Sequence, residues 1–228
     1  GLYQVLNEDG VAEPARVPRI ADGELVRMYR GMLTIRLMDE RLLALQRQGR
    51  IGFYGEAKGQ EGAVIGAAAA LGPKDWIVPA LREAGAAIYR GLPLRAYVAQ
   101  IFGNADDVSK GRQLPCHPGS RAAHYLTMSS CIATQLPHAG GIAMAMKARG
   151  ARAACFGDIG DGGTSEGDFH VAMNFAGELK APIVIICQNN QWAISTPGSA
   201  QTASATIALK ALGYGIEPLR ADGNDAFA

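Results

Sequence analysis

Charge is scarce in this chain. Asp, Glu, Lys and Arg make up 19% of its 228 residues, against about 25% in average globular domains. The net charge is +1, so bulk charge gives no grounds for binding nucleic acid or an anionic membrane. No run approaches the ~18 consecutive apolar residues that span a bilayer. Residues 1–18 carry charges and two prolines, not the apolar core of a signal peptide. Cytoplasm is therefore the expected location. Cysteine is also sparse. Cys116, Cys131, Cys155 and Cys187 include no C-x-x-C pair, which excludes a zinc ribbon or a thioredoxin motif. Cys116, His117, His124 and Cys131 cluster in sequence, but their spacings match no familiar zinc pattern. Loop and core roles are expected for them. Glycine (29 residues) and apolar side chains (48%) are abundant. They exclude disorder for most of the chain and point to tight packing against other subunits.

The pattern along the chain predicts an irregular arm over residues 1–20, then one domain over 21–228. Asp22 is placed to cap a helix running to about Gly49, with Leu25, Met28, Met32, Ile35, Leu42 and Leu45 near helical spacing. Arg50–Gln60 is glycine-punctuated and reads as a loop. Glu61–Leu71 is small and apolar on every face, as in a fully buried helix. A short strand is expected at Trp76–Ala80, and helices at Arg82–Tyr89 and Pro93–Phe102. Gly103–Ser130 is long, polar and aperiodic, the mark of a functional or mobile loop. A helix is expected at Thr134–Arg149. Next come a strand at Ala151–Phe156, a glycine-rich turn at Gly157–Gly163 and a helix at Ser165–Leu179. A β-branched strand at Ala181–Cys187 and a helix at Ser204–Leu212 follow, with a third strand starting at Ile216–Arg220. Apolar strands alternating with helices imply an α/β fold with a parallel sheet covered by helices. The ending, straight after a strand-like segment, reads as a truncated α/β domain.

The glycine-rich turn admits three phosphate-binding readings. A P-loop requires lysine where Gly163 stands. A Rossmann fingerprint starting at Gly160 requires glycine where Ser165 stands. The third reading fits. Gly160-Asp161-Gly162 ends one strand and Asn189-Asn190 ends the next, with Asn190 following Asp161 by 29 residues, a span that one crossover helix covers. Both strand ends open on the same edge of a parallel sheet, where ligands bind. A carboxylate, an amide oxygen and a nearby carbonyl are hard oxygen ligands suited to Mg²⁺. The glycines let backbone N–H groups approach a diphosphate. Taken alone, Asp161 would read as a helix cap, Asn190 as a turn residue and Arg82 as a solvated arginine.

The GDG…NN pair resembles the metal–diphosphate motif of thiamine diphosphate enzymes. Together with FGD…GDGGTSEGDFH and APIVIICQNNQWAIST, the chain resembles the α subunit of the decarboxylating component of 2-oxo acid dehydrogenase complexes. GFYGEAKGQEG, LREAGAAIYRGLPL, GRQLPCHPG, MSSCIATQLP and GYGIEPLRADGNDAFA extend the likeness over most of the chain. The resemblance implies a thiamine-diphosphate-binding fold. It implies Asp161 and Asn190 as side-chain Mg²⁺ ligands and Trp192 as a carbonyl ligand. Gly162 and Gly163 would offer backbone to the diphosphate, Arg82 would bind phosphate, and Gln188 could contact the diphosphate. Ser130 and Ile132 would touch the middle and aminopyrimidine of the cofactor. Ser129, Cys131, Thr134 and Gln135 would frame a K⁺ site, as in branched-chain members. The implied activity is oxidative decarboxylation of a small 2-oxo acid, with transfer of the acyl group to a lipoyl acyltransferase core. A β subunit would complete a heterotetramer of two α and two β chains. GRQLPCHPG, MSSCIATQLP and Gly55, where pyruvate-type members often place a histidine, point to branched-chain substrates. A pyruvate dehydrogenase α subunit and a catalytically incomplete scaffold of the same fold are the alternatives.

Three departures stand out. Gly157-Asp158-Ile159 reads as an insertion between strand and turn, and it offers Asp158 as a rival ligand. The spacing to Asn190 and the following Gly-Gly favour Asp161. Leu81 stands where the family often has tyrosine. The active-site histidine of the family falls beyond Ala228, so the sequence names no catalytic acid or base. Phe53 and Tyr54 could wall a substrate pocket or fill a core, and His117 and His124 could line a site mouth.

Overall fold

A computed structural model describes all 228 residues, which fall into two units. The first comprises residues 1–71, 82–118 and 220–228, and the second residues 72–81 and 119–219.

In the first unit, helix α1 (Asp22–Arg47) buries Met28, Ile35, Met38, Leu42 and Leu45 along one face. Asp22 is its first helical residue, not its cap. Ala21 holds the cap position without a side-chain bond, and Asp22 and Glu24 instead face the positive end of the helix dipole. Helix α2 (Glu61–Ala70) buries Glu61, Gly62, Val64, Ile65 and Ala68, leaving Ala70 exposed. Helices α3 (Ala84–Tyr89) and α4 (Leu94–Phe102) complete the unit. Asp39 and Glu61 are two of the carboxylates buried in it. Asp39 accepts the Tyr54 hydroxyl at 2.6 Å and the Ala57 N–H at 2.7 Å, which fixes the loop after α1. Burial pushes its carboxyl above the usual carboxylate range against the pull of those two bonds. Glu61 pairs with Arg36 at 2.6 Å and caps Gly59 N–H at 2.8 Å. Burial pushes the Glu61 carboxyl up, but Arg36 and the backbone donors outweigh it and hold it below its ordinary range.

Residues 1–20 form no helix. They are fastened by Asp225, which is 5% exposed. Its Oδ2 accepts the N–H groups of Val5 and Leu6 at 2.6 and 2.7 Å, and its Oδ1 those of Phe227 and Ala228 at 2.9 and 3.3 Å. Burial raises the carboxyl pKa, but the four donors win and depress it. A depressed folded pKa gives stability that is present above the unfolded value of about 3.9 and lost as pH falls through the folded value. Asp225→Asn is therefore expected to destabilise by about 2–3 kcal/mol at pH 7, because an amide turns a donor toward donors. Urea unfolding at pH 7 and at about pH 3 should show the gap to wild type narrowing at the lower pH.

In the second unit a parallel sheet runs in the order β1-β2-β3, with β1 (Trp76–Val78), β2 (Cys155–Gly160) and β3 (Ile183–Gln188). Helices α5 (Gln135–Ala148) and α6 (Gly167–Glu178) pack with it. Val78, Ala139, Ala143, Met146 and Cys155 form one core cluster. Ala133, Leu136, Ile159, Phe169, Ala172 and Met173 form another. The expected parallel α/β sheet is present, with two corrections. Ile216–Arg220 is not a strand, since Pro218 has no N–H for a ladder; the third strand is β1. Strand β2 also continues through Gly157-Asp158-Ile159, pairing Asp158 with Ile186 and Gly160 with Gln188. Those three residues therefore belong to the strand, not to the turn. Gly157 serves packing: a Cβ there would lie 3.0 Å from the Leu136 side chain and 3.1 Å from Ala139 Cβ, so its absence lets α5 approach the sheet. The expected helix at Ser204–Leu212 is a 3₁₀ helix over Ile207–Tyr214. The Ser204 hydroxyl donates to the Thr206 carbonyl at 2.7 Å, holding that stretch in a local turn. A short hairpin, β4 (Trp192–Ala193) with β5 (Thr196–Pro197), follows β3. No helix is long and apolar enough to cross a membrane.

Candidate functional site

Strand β2 ends at Gly160, and the chain turns at once into a 3₁₀ helix, Asp161–Ser165. Asp161 is 3% exposed. Its carboxylate has one hydrogen bond, a long one, 3.5 Å from Gln201 Nε2. A buried carboxylate with so little compensation is costly unless a cation or stronger donors complete it. Gly162 explains how the second half of the site is brought alongside. A Cβ at Gly162 would lie 2.4 Å from Ala193 Cβ, so β4 rests directly on the turn. Asp161 and Trp192, each one residue from that contact, are thereby brought to one place. Pro197, opposite Trp192, has no N–H to offer its carbonyl, and Gly198 N–H goes to Gln191 instead, at 2.8 Å. Asn190 is exposed, and its Oδ1 accepts the Trp192 N–H at 3.0 Å. An amide oxygen has two lone pairs, so a second is left. A carboxylate, an amide oxygen and a carbonyl are the donor set that a hard divalent ion takes.

Around this turn, a Cβ at Gly163 would meet Ile159 at 2.6 Å and Ile132 Cγ2 at 3.3 Å. Ile132, itself exposed, therefore borders the turn. Gln188 ends β3 opposite Gly160. Cys187, just before it, has its thiol pushed up to about 12 by burial, reinforced by the Asp161 charge. Residues 129–135 fold back on themselves. Thr134 Oγ1 lies 2.9 Å from the Cys131 carbonyl and 3.4 Å from Ser129 Oγ. Three of the four residues proposed for a monovalent cation thus have oxygens within reach of one another. Gln135 is turned to the strand end, its Nε2 donating to the Asp158 carbonyl at 2.9 Å. Ser130 lies within this loop. Arg82 belongs to the first unit, where its Nη1 donates to the Glu56 carbonyl. Tyr54 is in the core and Phe53 is exposed. Of the four Cys and His residues that cluster in sequence, Cys131 sits in the 129–135 loop and the other three take separate partners. Cys116 Sγ points at the Phe53 carbonyl (3.7 Å), His117 Nδ1 at the Pro115 carbonyl (2.8 Å), and His124 stacks on Trp76 at 5.1 Å.

Three residues of the site were not legible in the sequence. Gln201 reaches Asp161 from a loop forty residues away. Thr164, 1% exposed, donates its hydroxyl to the Asp161 carbonyl at 2.8 Å. Lys210 donates to both the carbonyl and the hydroxyl of Thr164, each at 3.0 Å. A threonine just before a helix was the one available signal, and it reads equally well as a cap.

Residues 29–228 match the family described as dehydrogenase E1 component. The chain is 47% identical over 228 residues to "2-oxoisovalerate dehydrogenase subunit alpha 1, mitochondrial" of Arabidopsis thaliana, covering 99% of this chain and 48% of that protein. It is 43% and 42% identical to the corresponding mitochondrial alpha subunits of Bos taurus and Homo sapiens, covering all of this chain and 50% and 51% of theirs. The chain thus spans about half the length of these relatives. A solved structure of a putative thiamin diphosphate-dependent enzyme from Mycobacterium smegmatis aligns with 68% of this chain and 25% of its own, at 22% identity and a TM-score of 0.42, too low to carry an argument. The mitochondrial relatives overturn the expected cytoplasmic location. That expectation rested on the missing signal-peptide pattern near residue 1, which is no guide to compartment.

Proposed function

Because the chain belongs to the dehydrogenase E1 component family, we propose that it is the metal- and diphosphate-holding part of the α subunit of a branched-chain 2-oxo acid dehydrogenase. The observation that carries the reading is the under-compensated buried carboxylate of Asp161, set beside β4 by Gly162. The donors present fit a Mg²⁺–diphosphate group. Asp161, Asn190 Oδ1 and the Trp192 carbonyl would hold the ion, while Gly162 and Gly163 turn backbone toward the diphosphate. Arg82 and Gln188 would bind phosphate oxygens, with Ser130 and Ile132 along the cofactor's length. Ser129, Cys131, Thr134 and Gln135 would seat a K⁺ that stiffens the loop carrying them. Bound thiamine diphosphate supplies the electron sink for decarboxylation of a 2-oxo acid. Residues 21–228 contribute binding and orientation. A β subunit, in a two-α, two-β assembly, would supply the rest of the site, and a lipoyl acyltransferase core would accept the acyl group.

The substrate assignment rests on relatives that act, by name, on 2-oxoisovalerate and on Gly55 in the GFYG stretch. A glycine there leaves a larger, less polar pocket than an imidazole would. Each extra methylene in an apolar pocket discriminates by about 1–3 kcal/mol. The assembled enzyme is therefore expected to use 3-methyl-2-oxobutanoate over pyruvate by about tenfold or more in kcat/KM. Side-by-side steady-state kinetics check this, and equal use of pyruvate overturns the substrate while leaving the cofactor site standing.

A further inference from the structure

We infer that Lys210 is a positioning residue for the metal–diphosphate turn, acting through Thr164 on the Asp161 backbone. The inference rests on the proposed cofactor reading and adds a residue to it. The 3₁₀ helix Ile207–Tyr214 places the Lys210 ammonium 3.0 Å from the Thr164 carbonyl and 3.0 Å from its hydroxyl. Since the Thr164 hydroxyl spends its proton on the Asp161 carbonyl at 2.8 Å, it can only accept from Lys210. The three groups form a directed chain, ammonium to hydroxyl to carbonyl, that closes both ends of the Asp161–Ser165 turn.

This hydrogen-bond chain gives side-chain polar anchoring to the Asp161 end of a turn otherwise held by packing, with Gly162 seated against Ala193 and Gly163 against Ile159. The glycines at 162 and 163 have no side chains to anchor it, and the Asp161 carboxylate has only the 3.5 Å contact with Gln201. Turn and lysine are both sheltered. Thr164 is 1% exposed and Lys210 half-buried, with the Phe169 ring 5.7 Å from its ammonium. Charge-assisted hydrogen bonds in such surroundings are strong and directional. By bonding the Thr164 carbonyl, Lys210 fixes the plane of the peptide that ends the turn. Through the hydroxyl it fixes the Asp161 carbonyl, and so the direction in which the Asp161 side chain leaves the strand. A misaimed carboxylate lowers metal affinity without unfolding the sheet. Groups that orient a ligand from behind are worth about 10–100-fold in metal affinity.

The test uses the complete subunit assembled with its β partner, titrated with Mg²⁺ and thiamine diphosphate by calorimetry, with melting of the cofactor-free protein as a second readout. Lys210→Met is expected to weaken binding by about tenfold or more, with melting close to wild type. Lys210→Arg keeps two donors and should bind within about threefold of wild type. Thr164→Val should weaken binding while Thr164→Ser does not, a comparison that stays readable even if the methionine variant folds poorly. The Lys210→Met, Thr164→Val double variant should bind no worse than the weaker single, since both cut one chain. Wild-type affinity in Lys210→Met, failure of arginine to rescue, or additive losses overturn the inference. A wild type that binds no thiamine diphosphate overturns the functional reading and this inference with it.

Discussion

Asp161→Asn is expected to abolish Mg²⁺-dependent thiamine diphosphate binding, with a loss of about a hundredfold or more, while Asp158→Asn leaves it within a few-fold of wild type. The two aspartates occupy a repeated Gly-Asp in GDIGDGG, so the sequence alone offers either as ligand. The structure separates them by register. Asp158 lies inside β2, paired with Ile186, and Asp161 follows the last paired residue. A strand slipped by three residues would put Asp158 at the strand end. It would also put Ile159 where Gly162 now sits, and even a methyl there comes within 2.4 Å of Ala193 Cβ. An odd slip also turns every side chain of the strand to the opposite face, taking Ile159 out of the core cluster it shares with Leu136 and Phe169. Packing thus selects the register that delivers Asp161. Calorimetric titration of both variants in the assembled enzyme decides it. Loss of binding in Asp158→Asn with retention in Asp161→Asn would falsify the register.

The alternation of apolar strands with helices was legible because β-branched runs such as APIVIIC favour strands, even though β3 proves to be an edge strand with Val184 exposed. The GDG…NN spacing was legible because one crossover helix fixes how far apart two strand ends fall. The turn boundary was not. Gly157 reads as a turn residue, and only the approach of Leu136 and Ala139 from α5 shows that its missing side chain serves packing inside a strand. Ile216–Arg220 carried an apolar signal that Pro218 cancels. Gln201 and Lys210 were hidden for a different reason. Each acts through one polar atom delivered by tertiary contact, Gln201 from a loop and Lys210 from a short 3₁₀ helix, and a helical period shows a face but not which polar atom on it reaches a distant turn. Asp39 was hidden likewise: a carboxylate on the buried face of α1 breaks the apolar pattern, and its partners Tyr54 and Ala57 lie in the following loop.

Gly162→Ala is expected to cost about a hundredfold in kcat/KM of the assembled enzyme, a large effect for one methyl group. The added Cβ would sit 2.4 Å from Ala193 Cβ and 3.4 Å from Ala193 Cα. Ordinary contact between two carbons is about 3.5–4.0 Å, so β4 must back away from the turn by roughly 1 Å. The Gln201 oxygen, at 3.2 Å, ends a flexible side chain and can yield cheaply. Strand β4 cannot, because Trp192 and Ala193 are tied into the hairpin with Thr196 and Pro197. Its displacement carries the Trp192 carbonyl away from Asp161 and opens the proposed coordination shell. Misplacements of about 1 Å in a catalytic site are worth about a hundredfold in rate. The geometry also supplies a rescue. Ala193→Gly removes the methyl against which the new one collides and leaves the 3.4 Å contact with Cα, which backbone breathing can absorb. The Gly162→Ala, Ala193→Gly double variant should therefore recover most of the lost cofactor affinity, although glycine at 193 by itself brings no benefit. Titration with Mg²⁺ and thiamine diphosphate across the two single variants and the double gives the coupling directly. A double variant as impaired as Gly162→Ala would show that the glycine serves something other than the seating of β4.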